Sequence, residues 1–177
     1  MTTYIALLRG INMAGHKAIK MDALRTCFES INFKNVRTYI QSGNVLFDSP
    51  ETNESKLSGK IGKALKQSFG YDIAVMLRTV AEMQAIIENN PFKKLEPNSM
   101  PYVTFISDEL SSNLKLPWYS SKKDLEIVSF TGREFYSVGN LVNGRRGFPN
   151  GFIEKEFKIL ATTRNWNTTK KLATFST

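Results

Sequence analysis

The sequence contains one histidine, His16, and one cysteine, Cys27, among its 177 residues. A single cysteine cannot form an internal disulfide, and one histidine is too few for a histidine-based metal site or a Ser-His-Asp triad. Cys27 lies on the apolar face of a predicted helix, where a thiol is typical of a core residue rather than a nucleophile. We therefore expect no metal, no cofactor and no recognisable catalytic motif.

Long apolar runs are also missing from the chain. No stretch approaches the roughly 18 residues that cross a bilayer, and residues 1–4 lack the basic and then apolar pattern of a secretory signal. A lone cysteine is typical of proteins from a reducing compartment. We therefore expect a cytoplasmic protein that has no membrane partner.

Acidic residues are outnumbered by basic ones. The chain has 24 Lys and Arg against 16 Asp and Glu, which gives a formal net charge of +8 and a pI near 9.6. A basic protein concentrates polyanions such as nucleic acid around itself, although a basic surface can equally serve solubility alone. The charge thus favours an anionic partner without identifying it.

The first half of the chain alternates strand-like and helical segments. Ser42-Gly43 between two strand-like segments predicts a hairpin, and Gly70 follows an amphipathic helical pattern as its stop. The order β-α-β-β-α-β is that of a ferredoxin-like unit. The predicted strands are residues 4–8, 36–41, 44–48 and 73–77, and the predicted helices are residues 24–31 and 57–69.

The second half repeats this order less clearly. Thr79 and Glu82 form a capping box that starts a connecting helix, and residues 91–101 carry three prolines and predict a linker. Strands are predicted at 102–106, 125–130, 134–138 and 159–162, with helices at 109–116, 152–157 and about 167–175. The predicted fold class is therefore α+β, with two ferredoxin-like subdomains, residues 1–90 and 91–177. Each has a four-stranded antiparallel sheet, and the second is degenerate and ends in a C-terminal helix.

Three polar motifs lie at the ends of predicted strands. They are Arg-Gly-Ile-Asn at 9–12, continued by Gly-His-Lys at 15–17, Tyr-Ile-Gln-Ser-Gly-Asn at 39–44, and Thr-Thr-Arg-Asn-Trp-Asn-Thr at 162–168. A glycine-containing loop after a strand can aim backbone N–H groups at an anion. However, Gly10 and Gly15 form neither a dinucleotide fingerprint nor a P-loop, and glycines also serve tight turns.

The amides and the guanidinium of these motifs allow two interpretations. Gln41 and Asn44 offer donors and acceptors for a base edge or a sugar, yet they can equally satisfy the backbone of a turn. Arg164 can hold a phosphate. Trp166 is interpreted as the core anchor of the last helix, with Asn167 as the helix cap.

A further basic segment lies outside the three motifs. Arg145 and Arg146 occupy a loop, residues 139–151, that is rich in Gly and Asn. The loop is interpreted either as a contact for a polyanion or as a solvated segment without a partner.

The motifs resemble those of a known family. Its members begin with Tyr-(Ile/Val)-Ala-Leu-Leu-Arg-Gly-Ile-Asn, carry a Val-Arg-Thr-Tyr-Ile-Gln-Ser-Gly-Asn-Val hairpin and close with Thr-Arg-Asn-Trp-Asn-Thr, matched here by residues 4–12, 36–45 and 163–168. By this likeness the chain is identified as a member of the bacterial "domain of unknown function 1697" family. The family's Gly-Gly is replaced by Ala14-Gly15, which leaves the backbone at position 14 less free. The resemblance implies two α+β subdomains and implies no activity.

Three hypotheses for the function remain open. The favoured one is a binding module that holds an anionic ligand, nucleic acid or nucleotide, in a basic cleft between the two subdomains. The first alternative is an enzyme that acts on a small phosphorylated or carboxylated molecule with His16 as acid or base. The second is an interaction protein whose motifs are structural and which forms a homodimer through a sheet edge. The motifs lack the acidic pair of a two-metal nuclease, and the sheet lacks the aromatic signature of RNA-binding ferredoxin-like domains.

The binding hypothesis names its site residues. Arg164 is expected to be partly exposed, because no acid lies near it in sequence to pair with a buried guanidinium. The residues expected to line the site are Arg9, Asn12, Lys17, Gln41, Asn44, Arg164 and Asn165.

Overall fold

Residues 1–92 and 94–175 are described by the computed structural model, and Lys93, Ser176 and Thr177 lie outside the described residues. The chain divides into two units. The first consists of Met1–Gln84 together with Phe175, and the second of Ala85–Thr174. The sequence places the boundary after residue 90, and the structure divides the chain a few residues earlier, within the connecting helix.

The first unit has the β-α-β-β-α-β order expected from the sequence. Its strands form an antiparallel sheet in the order β2-β3-β1-β4. Alternate residues of β1, namely Tyr4, Ala6 and Leu8, share one buried cluster with residues of both helices, so both helices cover the same face of the sheet. The elements are β1 (Thr2–Leu8), α1 (Met21–Ser30), β2 (Lys34–Tyr39), β3 (Asn44–Ser49), α2 (Glu54–Phe69) and β4 (Val75–Thr79).

The ends of α2 are set by local chemistry. The side chain of Asn53 accepts a hydrogen bond from the Lys56 N–H at 2.9 Å and caps the first turn. Gly70 ends the helix with φ +76°, and its N–H donates to the Lys66 carbonyl at 2.8 Å. The predicted stop at Gly70 is confirmed.

The connecting helix α3 (Val80–Glu88) begins at the predicted capping box. The Glu82 carboxylate accepts hydrogen bonds from the Thr79 N–H at 2.6 Å and from the Thr79 hydroxyl at 2.9 Å, and the hydroxyl accepts from the Glu82 N–H at 3.2 Å. This prediction is also confirmed.

The second unit is built on a five-stranded antiparallel sheet in the order β11-β5-β8-β7-β6. The expectation of four strands is wrong for this sheet, because the short β6 forms a fifth strand at its edge. The fold class, α+β with antiparallel sheets, is confirmed. The elements are β5 (Met100–Ile106), β6 (Trp118–Tyr119), β7 (Leu125–Phe130), β8 (Glu134–Gly139), β9 (Leu141–Val142), β10 (Arg145–Arg146), α4 (Pro149–Phe157), β11 (Ala161–Asn165) and α5 (Trp166–Thr174).

The helix predicted at residues 109–116 does not form. Leu110 and Leu114 pack against the core of the second unit, but the segment between them is irregular. The Leu110 N–H donates instead to the Gly132 carbonyl at 2.8 Å. Ser and Asn between the leucines favour turns over helix, and Pro117 disfavours helical backbone just before it.

Candidate functional site

Two polar motifs of the first unit meet at one end of its sheet. The Leu8 N–H donates to the Gly43 carbonyl at 2.8 Å, and the Arg9 N–H donates to the Ala74 carbonyl, next to the start of β4, at 3.0 Å. We call residues 9–19 and 39–44 the first-unit rim. The predicted residues Arg9, Asn12, Lys17, Gln41 and Asn44 all belong to it.

Asn12 ties the two motifs together. Its side-chain oxygen accepts from the Ile19 N–H at 2.7 Å, while its nitrogen donates to the carbonyls of Ile19 at 3.0 Å and Gln41 at 2.9 Å. The amide is thus engaged with the backbone of the chain. Asn12 therefore positions the rim rather than presenting its amide to solvent.

The two amides of the hairpin have different settings. Asn44 is fully buried, and its side-chain nitrogen donates to the Tyr39 carbonyl at 2.9 Å and to the Ser42 hydroxyl at 3.0 Å, so it braces the turn. Gln41 is exposed. Of these two predicted residues, Gln41 is the one whose amide faces solvent.

Lys17 lies at the side of the rim toward α2. Its ammonium group donates to the Asp72 carbonyl oxygen at 3.0 Å, and the Asp72 carboxylate pairs with Lys66 of α2 at 3.0 Å. An ammonium carries three N–H donors, so Lys17 has capacity beyond this bond. His16, which precedes it, is exposed.

The rim concentrates residues in the left-handed backbone region. Asn12, Ala14, Lys17 and Ile40 have φ of +54°, +46°, +46° and +47°. Asn adopts this region with little penalty, whereas a β-branched residue there is an outlier. Ile40 is nonetheless 47% exposed, so core packing does not explain its conformation.

Gly43 fixes how closely the hairpin approaches the first loop. It has φ +83°, and a Cβ at this position would lie 2.8 Å from the Ile11 Cδ1 atom and 2.9 Å from the Leu8 Cβ atom. Only glycine fits both the conformation and the space. The backbone of the hairpin turn therefore packs directly against the side chain of Ile11 in the first loop.

The structure contradicts the expectation that Arg164 is partly exposed. It is only 6% exposed, and its guanidinium donates to the Thr162 hydroxyl at 2.8 Å and to the Thr163 carbonyl at 2.9 Å. Burial lowers its pKa to about 10. The reason is that β11 extends to Asn165, so Arg164 sits within the ladder opposite Val103 instead of in a loop.

Asn165 and Trp166 set the start of α5. The Asn165 side chain accepts from the Thr168 N–H at 2.8 Å, so Asn165, and not the predicted Asn167, caps the helix. Trp166 is 8% exposed and packs edge-on to the Phe92 ring with centroids 5.0 Å apart, which confirms its role as a core anchor. Arg164 and Asn165 belong to the second unit, and a site shared with the first-unit rim stays a prediction.

The basic loop of the second unit is structured. Asn143 and Gly144, with φ of +49° and +74°, form the turn between β9 and β10. Arg145 is exposed, whereas Arg146 donates to the carbonyls of Asn98 and Gly139. Arg146 therefore holds the hairpin in place, and Arg145 is the guanidinium that faces solvent.

A row of basic residues on α2 is not among the site residues predicted from the sequence. Lys56, Lys60, Lys63 and Lys66 are all exposed on this helix. Their spacing of four, three and three residues was visible in the sequence and places them on one side of a helix.

Residues 1–92 and 94–175 lack two further features. No group of three or more His, Cys, Asp and Glu side chains is arranged to hold a metal ion there. Within the same residues, no helix combines the length and the apolar character needed to cross a membrane.

Comparisons with known proteins show the fold and the family of the chain. None of the curated proteins matches the chain significantly. A solved structure, that of the conserved bacterial protein SP0830 from Streptococcus pneumoniae, is similar with a TM-score of 0.73 and 22% identity, covering 99% of this chain and 98% of that one. At this identity the likeness shows the fold. The model of the family described as protein of unknown function (DUF1697) matches residues 1–136, and the chain therefore belongs to that family.

Proposed function

We propose that the protein is a binding module for an anionic ligand of the nucleic-acid or nucleotide class, and that the first-unit rim is its contact surface. The proposal includes a cytoplasmic location and two ferredoxin-like units, the second degenerate. Arg9, Lys17 and Gln41 supply ligand contacts, whereas Asn12 and Asn44 hold those residues in position.

The exposed Ile40 is the observation that carries the proposal. A β-branched residue in the left-handed region costs about 1–2 kcal/mol, and nearly half of this side chain faces solvent. Backbone strain of this kind clusters at ligand-contacting and switch regions, where the surrounding structure holds it in place. Asn12 provides that constraint through its hydrogen bond to the Gln41 carbonyl.

The chemistry of the neighbouring side chains suits a nucleotide. Ile40 offers an apolar surface to the face of a base, and the Gln41 amide can donate to and accept from a base edge. Lys17 and Arg9 provide positive charge for phosphate.

The two alternatives account for fewer observations. An enzyme would depend on His16, which lies exposed in the turn of residues 13–16. A purely structural role explains Asn12 and Asn44, but it does not explain why Ile40 is strained and exposed.

Binding can be measured by the fluorescence anisotropy of a fluorescein-labelled single-stranded tetranucleotide. Ile40→Asn is expected to weaken binding about five-fold, by roughly 1 kcal/mol of lost apolar contact. The same change should leave the free energy of unfolding unchanged or raise it by up to about 1 kcal/mol, because Asn tolerates the left-handed region. Weaker binding without a loss of stability separates a contact residue from a structural one.

Lys17→Gln is expected to weaken binding about ten-fold, on the scale of one charge-assisted hydrogen bond. Lys123→Gln is the matched control, since Lys123 is an exposed lysine with φ +56° in the second unit. Equal losses for the two lysines, or no binding by the unaltered protein, would contradict the proposed function.

A further inference from the structure

We infer that the ligand is a single strand of nucleic acid longer than one nucleotide, which leaves the first-unit rim and continues along α2 over Lys66, Lys63, Lys60 and Lys56. This inference rests on the proposed function and extends it. We call these four lysines the α2 lysine row.

The four lysines lie on one side of the helix. At about 100° per residue they fall within roughly 120° of arc, on the side away from the core. The opposite face is buried in the first unit through Leu57, Ile61 and Leu65. From Lys56 to Lys66 the row extends about 15 Å along the helix axis, which a polymer can follow and one nucleotide cannot cover.

Except at Lys66, which lies in the last turn and pairs with Asp72, the row is unfavourable for the helix itself. Lysines spaced three and four residues apart repel each other by about 0.2–0.5 kcal/mol per pair. The one acidic residue of α2, Glu54, lies in the first turn. An ordinary solvated helix would alternate acids with the lysines, so the uniform sign points to a polyanionic partner.

The row is continuous with the rim. Lys66 binds the carboxylate of Asp72, and Lys17 donates to the carbonyl of the same residue. The ammonium groups of Lys66 and Lys17 therefore contact the same residue. The carboxylate of Asp72 adds one negative charge next to these two positive charges. A strand that contacts Lys17 at the rim is thus led directly to the end of α2.

Part of the row is held in a fixed position. The Lys60 ammonium donates to the Ile31 carbonyl at 2.6 Å and lies 4.9 Å from the centre of the Phe33 ring. Two of its N–H donors remain for a phosphate. An ammonium that is already ordered loses less entropy on binding than a mobile one.

The chemistry favours single-stranded nucleic acid over a membrane surface. A helix that binds lipid needs an exposed apolar face beside its lysines, and the apolar face of α2 is buried in the core. A single strand also exposes bases, which Ile40 and Gln41 at the rim can contact and which a duplex would hide.

The test compares labelled single-stranded DNA of two lengths, about 4 and about 12 nucleotides, which lie at the lower limit of and well within the site sizes of known single-strand binders. Lys56 and Lys63 are replaced together by glutamine, which avoids Lys60 and its structural bonds. Lys122→Gln with Lys123→Gln removes the same charge from two exposed lysines of the second unit and serves as control. Anisotropy is recorded over a range of salt concentrations.

We expect the 12-mer to bind at least about ten-fold more tightly than the 4-mer. The Lys56/Lys63 variant should lose that gain, and the slope of log K against log salt should fall by roughly 1.4, or about 0.7 for each phosphate contact. Binding of the 4-mer and the control variant should change little.

Three results would overturn the inference. Equal affinity for both lengths with no effect of the α2 variant would limit the ligand to the rim and leave the proposed function intact. Absence of binding at either length would remove the proposed function as well. Tighter binding to vesicles of phosphatidylserine than to the 12-mer, with the same dependence on Lys56 and Lys63, would assign the row to a membrane surface.

Discussion

Ala14 occupies a backbone conformation that suits glycine better. Residues 13–16 form a tight turn in which the His16 N–H donates to the Met13 carbonyl at 2.9 Å, and Ala14 and Gly15 have φ of +46° and +80°. A turn with two left-handed central residues favours Asn-Gly or Gly-Gly. The family motif, with glycine at both positions, matches that geometry, so the sequence already pointed to the strain at Ala14.

Ala14→Gly should therefore stabilise the first unit. The expected gain in the free energy of unfolding is about 0.5–1 kcal/mol, because relief of the left-handed alanine exceeds the added freedom of glycine in the unfolded chain. Urea denaturation measures the change. Gly15→Ala in the same turn should act in the opposite direction, and a loss of stability from Ala14→Gly would contradict this explanation.

Arg164 is expected to act on stability, since it is buried among backbone and hydroxyl acceptors. Arg164→Ala should lower the free energy of unfolding by about 2–4 kcal/mol through lost packing and unsatisfied acceptors. Arg145→Ala, the same change at an exposed residue, should stay within about 0.5 kcal/mol. If denaturation midpoints for the two variants coincide, the buried role is wrong.

At the scale of elements, Asp48 of β3 joins three strands. Its carboxylate accepts from the Thr3 hydroxyl of β1 and from the Asn35 amide of β2, both at 2.6 Å. Burial raises its pKa, but these hydrogen bonds and the charge of Arg37 outweigh burial, so the pKa is lowered overall. The hydrogen bonds of Asp48 to Thr3 and Asn35 are therefore strongest when Asp48 is ionised.

The pH dependence follows from that sign. A carboxyl group with a lowered pKa in the folded state adds stability above its unfolded pKa, about 3.9, and the contribution is lost as the pH falls through the folded value. Asp48→Asn should destabilise the protein at pH 7 and have a smaller effect at pH 3. Urea denaturation at both pH values tests this, with Asp108→Asn at an exposed position as control. If Asp48→Asn lowered the free energy of unfolding equally at both pH values, ionisation of Asp48 would not contribute to stability.

The helix ends that were predicted correctly are specified by residues only a few positions apart in the sequence. The Thr79–Glu82 box and the Gly70 stop depend on local hydrogen bonds, which residue identity alone specifies. The helix predicted at residues 109–116 does not form although Leu110 and Leu114 have helical spacing, because Ser, Asn and Pro117 act against helical backbone. The burial of Arg164 was not predictable in the same way, since it depends on where β11 ends.

At the scale of the whole molecule, the order of elements was easier to predict than the chemistry of the site. The strand order β2-β3-β1-β4 of the first sheet follows from alternating apolar patterns and short connections. In contrast, Asn12 bonds to the Gln41 carbonyl, 29 residues away, so its positioning role was not predictable. The bonds of Asn44 to Tyr39 and Ser42 are local, and bracing of the turn was one of the two interpretations that its sequence context allowed. The α2 lysine row needed only helical geometry and could have been found.

Charge is shared between the two units of the chain. Residues 1–84 carry eleven Lys and Arg against seven Asp and Glu, and the remaining residues carry thirteen against nine. Net charge therefore does not select one unit as the binding surface. The binding surface must instead be identified from the local arrangement of charges, as in the α2 lysine row.

The position of the tryptophans gives the molecule an internal optical reporter. Trp118 and Trp166 both belong to the second unit, and the first unit has aromatic residues but no tryptophan. Indole emission therefore follows the second unit alone, whereas far-ultraviolet circular dichroism records both. Superimposable unfolding curves from the two signals would mean that the units melt as one cooperative body, and separated curves would give each unit its own stability.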